Sequence, residues 1–139
     1  MLSGKGLVLA LVAILLAGTF SLAAADDVAD GKAIYVQYCA SCHGAKGDGN
    51  GPMARVLTTP PTNLRLLAQK YGNPLPEDQI AKFIDGRSDV KAHGPRDMPV
   101  WGHRFNAQSN GNEADTHERI AKLVAYLQSI QTGIRTASR

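Results

Sequence analysis

The residues best suited to chemistry stand together at Cys39-Ala40-Ser41-Cys42-His43. In this C-x-x-C-H spacing, two thiols fall on one side of a helical turn and an imidazole follows at once. Each thiol can add to one vinyl group of a porphyrin, forming two thioether bonds, and His43 then points its ring at the iron from one face. A haem held in this way cannot dissociate, and covalent geometry fixes its fifth ligand. A bare C-x-x-C also occurs in redox dithiols and as half of a zinc site. Zinc needs four ligands at suitable spacing, and the chain has no second cysteine pair. A thioredoxin-like dithiol expects a βαβ context, and the strand-rich pattern that would supply it is missing. The expected cofactor is therefore a single, covalently bound haem c. Cys39 and Cys42 are the only cysteines, so none is left for a structural disulfide.

The rest of the chain must position this motif. At 139 residues one domain is the prior, and a hydrophobic content of 44% with 19% charged residues suits an ordinary globular protein. The formal net charge is +3 without any long basic run, so nucleic acid is not an expected partner. Fourteen glycines and seven prolines imply many loops, and a small loop-rich domain has a limited core. A covalently held porphyrin would add the missing apolar filling. No internal repeat, second C-x-x-C-H or low-complexity segment is present.

The N-terminus reads as an export signal. Lys5 gives a short positive region, Gly6 to Phe20 is an apolar stretch, and Ala23-Ala24-Ala25 offers a small-residue cleavage site before Asp26-Asp27. The division expected is a signal peptide over 1–25 and a haem domain over 26–139, located in the periplasm. The alternative is an uncleaved membrane anchor, for which the apolar stretch is short of the roughly 20 residues that a full span needs.

A first helix is expected from about Asp27 to the haem motif, with Val28, Ala33, Ile34, Val36 and Tyr38 as apolar positions. Gly31 and Tyr35 share one face of it. A last helix is clearer. Asp115 and Glu118 read as N-cap and N3 of a capping box, and Ile120, Leu123, Val124, Leu127 and Ile130 repeat at helical spacing beside Tyr126. A glycine at 31 would let these two helices cross closely, with Tyr35 and Tyr126 near the crossing as core aromatics. Between them, Thr62 to Tyr71 reads as a helix ended by Gly72-Asn73-Pro74. Pro76 then opens another, with Glu77 and Asp78 at its positive end, Ile80, Ala81, Phe83 and Ile84 on its buried side and Gly86 as its stop.

With these residues in view, the chain resembles the class I c-type cytochromes, bacterial, exported and carrying one haem. Gly31-x-x-x-Tyr35 followed by Cys39-Ala40-Ser41-Cys42-His43 matches the family's opening, and Leu123-Val124-Ala125-Tyr126-Leu127 matches its closing helix. The resemblance runs from about Asp30 to Gln131. It implies an all-α class I cytochrome c fold, with crossed N- and C-terminal helices around the haem and a partly exposed haem edge. In the family, a proline carbonyl after the haem motif accepts the N–H of the proximal histidine, which orients the ring. Pro52 is the first choice for that role, with Pro60 and Pro61 as competitors and an ordinary Gly-Pro turn as the alternative. Lys46 and Asp48 read as solvated loop charges.

The resemblance also assigns the second chemical stretch, His93-Gly94-Pro95-Arg96-Asp97-Met98-Pro99-Val100-Trp101-Gly102. Met98 matches the family's distal methionine, a soft thioether on a loop stiffened by two prolines. Met53 competes but lies close after His43, too near the proximal loop to reach the opposite face, and a buried core role is the other reading of Met98. A bis-histidine haem would use His93 or His103 instead and would have a lower potential. His117 is expected to be exposed. Trp101 could pack on the haem or donate its N–H to a propionate. Arg87, Arg96 and Arg104 could pair with propionates or simply face solvent.

Ligation by His43 and Met98 would close both axial positions and raise the potential. The expected function is one-electron transfer between periplasmic or membrane-bound redox proteins, without substrate turnover. An enzyme such as a peroxidase, or a gas-sensing haem domain, would need Met98 to be labile or unused, and no distal acid–base group is apparent for either. Permanent attachment to a dehydrogenase or oxidase is the remaining alternative. Contact with a membrane is expected only if the N-terminal segment stays uncleaved.

Overall fold

The computed structural model describes residues 25–88 and 98–133. Among them every regular element is helical. Residues 25–38 form α1, and Ala40–His43 form the single turn α2. Two 3₁₀ turns follow, at Pro52–Val56 and Leu64–Leu66, the second running directly into α3, Leu67–Tyr71. Then come α4, Glu77–Asp85, α5, Trp101–Gln108, and α6, Glu113–Ser129. No described helix is long and apolar enough to cross a membrane.

The crossing of α1 and α6 is as close as Gly31 suggests. A Cβ on Gly31 would run into the carbonyl of Lys122, so only a glycine fits at this point. One turn further along, the rings of Tyr35 and Tyr126 meet at a centroid distance of 5.1 Å and a tilt of 48°. Lys122 adds an ion pair to Asp30 at 2.9 Å. The apolar stripe of α6 is buried as its period requires. Ile120, Leu123, Val124, Tyr126 and Leu127 join Tyr35, Leu67, Leu75, Ile80, Ile84, Trp101 and Phe105 in one core. α4 and α5 pack on α6 and on each other.

Three elements differ from the expectations. Helix α6 begins earlier, because Asn112 rather than Asp115 is its cap. The Asn112 side chain accepts from the N–H groups of Ala114 and Asp115, and Glu113 and Asp115 then sit in the first turn where the helix dipole favours acids. The turn that delivers Asn112 uses left-handed backbone at Asn110 and Gly111. Between Thr62 and Tyr71 only the second half is α-helical. Asn63, itself extended, caps the 3₁₀ turn by accepting from Arg65 N–H, and residues 60–63 form no regular element. Helix α5 was not expected at all. Its buried residues are Trp101, Gly102 and Phe105, which leave too short an apolar stripe to show in the sequence. Helix α4 runs as expected, with Glu77 and Asp78 in its first turn and Gly86 in the left-handed conformation closing it by an N–H to the Lys82 carbonyl.

The end of α6 ties the domain together through amide side chains. Gln128 accepts from Leu75 N–H and donates to Asn73. Gln131 donates to the carbonyls of Leu64 and Leu127 and accepts from Ala68 N–H, while Thr132 N–H reaches the Arg65 carbonyl at 2.9 Å. Together, Gln131 and Thr132 fasten the 3₁₀ turn and the start of α3 to the C-terminal helix.

Candidate haem site

The cysteine turn grows directly out of α1. Cys39 N–H still bonds to the Tyr35 carbonyl at 2.8 Å, and the Cys39 carbonyl then accepts from both Cys42 and His43 N–H, at 3.1 and 2.9 Å. That short turn sets the two sulfurs and the imidazole in a fixed order. It ends at Gly44, which has φ 83°, and whose N–H caps the Ala40 carbonyl. Cys39, Cys42 and His43 are all half-buried, and both thiols are free of any disulfide.

The chain then doubles back beneath this turn. Gly49 N–H bonds to the His43 carbonyl and Gly51 N–H to the Cys42 carbonyl, while the Leu64 N–H reaches Gly47 at 2.7 Å. Gly51 has an ordinary φ of −68°, so its role is spatial. A Cβ there would strike the carbonyls of Ser41 and Cys42. Asp48 accepts from Asn50 N–H, and this bond holds its carboxyl below the usual value. From the other side, the Tyr35 hydroxyl donates to the Gly44 carbonyl at 2.6 Å in a buried position.

His43 is oriented by a main-chain carbonyl, but a different one from that expected. Its Nδ1 lies 2.9 Å from the Thr62 carbonyl oxygen. A carbonyl only accepts, so Nδ1 carries the proton and Nε2 keeps the lone pair a metal needs. Pro52 instead opens the 3₁₀ turn Pro52–Val56, which packs against α2.

Burial, with neighbouring Cys42 adding to it, pushes the free Cys39 thiol up to about 12. A redox dithiol needs the opposite, an attacking sulfur that ionises near neutral pH. The described residues also hold no group of three or more His, Cys, Asp or Glu arranged for a metal. The donors that are present fit a covalently held haem. Two half-buried thiols share one turn, and an imidazole beside them has its Nδ1 tethered and its Nε2 spare.

The remaining candidates separate clearly. Met98 is 39% exposed and lies immediately before the extended residues leading into α5, so it is not a buried core methionine. Met53, 47% exposed, sits in the 3₁₀ turn that packs on α2 itself. His103 is exposed; His117 is exposed too, with its Nε2 3.8 Å from Glu113. Trp101 is buried, stacked on Phe105 and edge-on to Tyr38, with the Arg104 guanidinium 5.3 Å from its ring centre. Arg87 is taken up by acids, bonding to Asp85 at 2.8 Å and Glu113 at 2.7 Å. His93 and Arg96 lie outside the described residues.

Two features of the site could not be seen from residue types. One is the Thr62 carbonyl, a main-chain group with no signature beyond the prolines ahead of it. The other is the set of glycine contacts that folds residues 44–51 under the turn.

Residues 26–127 match the protein family described as cytochrome C oxidase, cbb3-type, subunit III. Curated proteins and solved structures yield no match. With that match over most of its length, a helical fold and a C-x-x-C-H turn whose donors fit the cofactor, the chain belongs to this family and is a c-type cytochrome domain that binds haem c covalently and supports haem-based electron transfer with redox partners.

Proposed function

We propose that residues 26–139 form a monohaem one-electron carrier of the periplasm, that Cys39 and Cys42 supply the two thioethers, and that His43 and Met98 are the axial ligands. The observation that carries the reading is the bond between His43 Nδ1 and the Thr62 carbonyl. It fixes the tautomer, leaves the Nε2 lone pair free to bind a metal and raises the basicity of the ring toward iron. Met98 suits the opposite side better than Met53, because Met53 is built into the turn that supports α2. When bound, haem c supplies a reversible one-electron couple, and a thioether ligand raises its potential. With His43 and Met98 both holding the iron, no position would stay open for oxygen or peroxide, and the reading is of a carrier that turns over no substrate. Residues 1–25 act as a cleaved export signal, consistent with a cofactor attached outside the cytoplasm.

The family description favours a second reading, in which the domain transfers electrons as a subunit of a cbb3-type oxidase. Copurification with membrane subunits separates that from a free carrier.

The test of ligation is spectroscopic. The oxidised protein should show the weak far-red sulfur-to-iron band, and Met98→Ala should remove it, lower the potential and let the reduced protein bind carbon monoxide. A wild-type protein that lacks the band at neutral pH and binds carbon monoxide rapidly overturns the carrier reading and leaves a sensor or peroxidase in its place.

A further inference from the structure

Away from the cysteine turn, one polar cluster joins three helices. The Arg87 side chain grips Asp85 in a two-pronged pair, Nε to Oδ1 at 2.9 Å and Nη2 to Oδ2 at 2.8 Å. Its Nη1 donates to Glu113 Oε1 at 2.7 Å, and Asn106 Nδ2 donates to the same oxygen at 2.7 Å. One guanidinium thereby holds the end of α4 to the first turn of α6, and the last turn of α5 joins them through the shared Glu113 oxygen. Gly102, in the first turn of α5, lies flush on the pair. A Cβ there would overlap Arg87 Nε and press on the Asp85 carboxylate. The side chains of Arg87 and Asp85 are only 23% and 17% exposed, so their forked bond is shielded as most surface pairs are not.

The start of α5 is also where Met98 is anchored. Only Pro99 and Val100 separate Met98 from Trp101, and Val100 is the extended cap of the helix. On its other side Trp101 packs on Phe105 and on Tyr38, the residue before Cys39. The first turn of α5 is thus held between the Arg87 cluster and the base of the cysteine turn.

We infer that the Asp85–Arg87–Glu113 cluster, closed against Gly102, positions α5 so that Met98 is presented to the haem, and that Arg87 is a positioning residue for the distal ligand. This rests on the reading of Met98 as that ligand. The cluster does not touch the methionine. It fixes the helix start from which a short, proline-stiffened segment projects. Loosening it widens the range of places the thioether can occupy and favours the state in which the sulfur has left the iron.

The experiment compares haem-loaded wild type with Arg87→Met, Gly102→Ala and Lys122→Met. Arg87→Met keeps the aliphatic stem and removes the fork. Gly102→Ala keeps every charge but forces α5 off the pair, and it stands in if Arg87→Met fails to fold. Lys122→Met is the control. It removes ion pairs of 2.9 Å to Asp30 and Glu118 at the α1–α6 crossing, far along α6 from Glu113. Each variant is read by the alkaline midpoint of the far-red band and by the rate of carbon monoxide binding to the reduced protein. Loss of a shielded charge-assisted pair should raise that rate roughly tenfold and move the alkaline midpoint down by about one pH unit in Arg87→Met and Gly102→Ala. Lys122→Met should lower thermal stability with both readouts unchanged. If the wild type shows the band and both α5 variants keep its midpoint and the carbon monoxide rate within twofold, the positioning role is wrong while Met98 ligation stands. If the wild type lacks the band, both are wrong.

Discussion

Tyr35→Phe probes how α1 is coupled to the cysteine turn. Tyr35 is 1% exposed, and its hydroxyl donates to the Gly44 carbonyl at 2.6 Å. Phenylalanine keeps the ring and its 5.1 Å packing on Tyr126, so no large cavity opens. What is lost is one buried hydrogen bond, and the Gly44 carbonyl is left without that donor. Such a loss costs about 1–3 kcal/mol, and taking ~1.5 kcal/mol in a domain of this size the midpoint of thermal unfolding should fall by roughly 6–10 °C at neutral pH. The same residue sets a pH dependence. Burial pushes the Tyr35 phenol far above its ordinary value of 10.0. The folded state therefore keeps a proton that the unfolded chain releases. The stabilisation is fully present below pH 10 and declines as pH rises beyond it. Tyr126, raised by its own burial, keeps some alkaline sensitivity in both proteins. The gap between wild type and Tyr35→Phe should thus be widest at pH 7 and clearly narrower at pH 11, measured by urea unfolding followed by circular dichroism. A variant as stable as wild type at pH 7, or a gap of the same size at both pH values, refutes the argument.

Two further tests address the supports of the site. Gly51→Ala should cost about 1–3 kcal/mol and reduce covalent haem on a stained denaturing gel, because its Cβ meets the Ser41 and Cys42 carbonyls. Gly72→Ala, at φ 99° with open space around it, should cost about 1–2 kcal/mol of backbone strain and leave haem loading intact. Gln131→Leu removes three hydrogen bonds, two of which fasten residues 64 and 68 to the end of α6, and it should cost roughly 2–4 kcal/mol. In this variant the proton on His43 Nδ1 should shift by NMR, since Thr62 lies just before the loosened segment; an unmoved resonance would show that the tie does not reach the haem.

Much of the fold was readable wherever a single element carries its own pattern. The stripe from Ile120 to Leu127, the Gly86 stop and the Gly31–Tyr35 face each follow from spacing within one helix, and each is found as expected. The C-x-x-C-H turn is legible for the same reason, since its chemistry is contained in five consecutive residues. Contacts between elements were not readable. The acceptor for His43 is a carbonyl from a segment distant in the chain, and every residue has a carbonyl. Arg87 looked like a candidate for a propionate because its type suits one, but its acids come from α4 and from the start of α6. Helix α5 was missed because Trp101 and Phe105 are its only large buried side chains, and the proline-rich stretch before it drew attention to a loop. Asn112 and Asp115 are equally good caps by residue type, and only the left-handed turn at Asn110-Gly111 selects Asn112.

The contact between Gly31 and the Lys122 carbonyl has a consequence in time as well as in space. Asp30 and Lys122, which meet beside it, are 92 positions apart, and the cysteine turn hangs from the same helix as Gly31. A chain that emerges N-terminus first presents Cys39, Cys42 and His43 long before α6 exists to dock against α1. During that interval Tyr126 is absent and Tyr35 has no ring to pack on, so the thiols stand on an undocked, water-exposed helix. Cofactor attachment and final folding can therefore proceed as separate steps, with the chemistry performed on an open chain and the last helix closing over the result. A circular permutant that places α6 ahead of α1 would remove that interval and make the two steps compete.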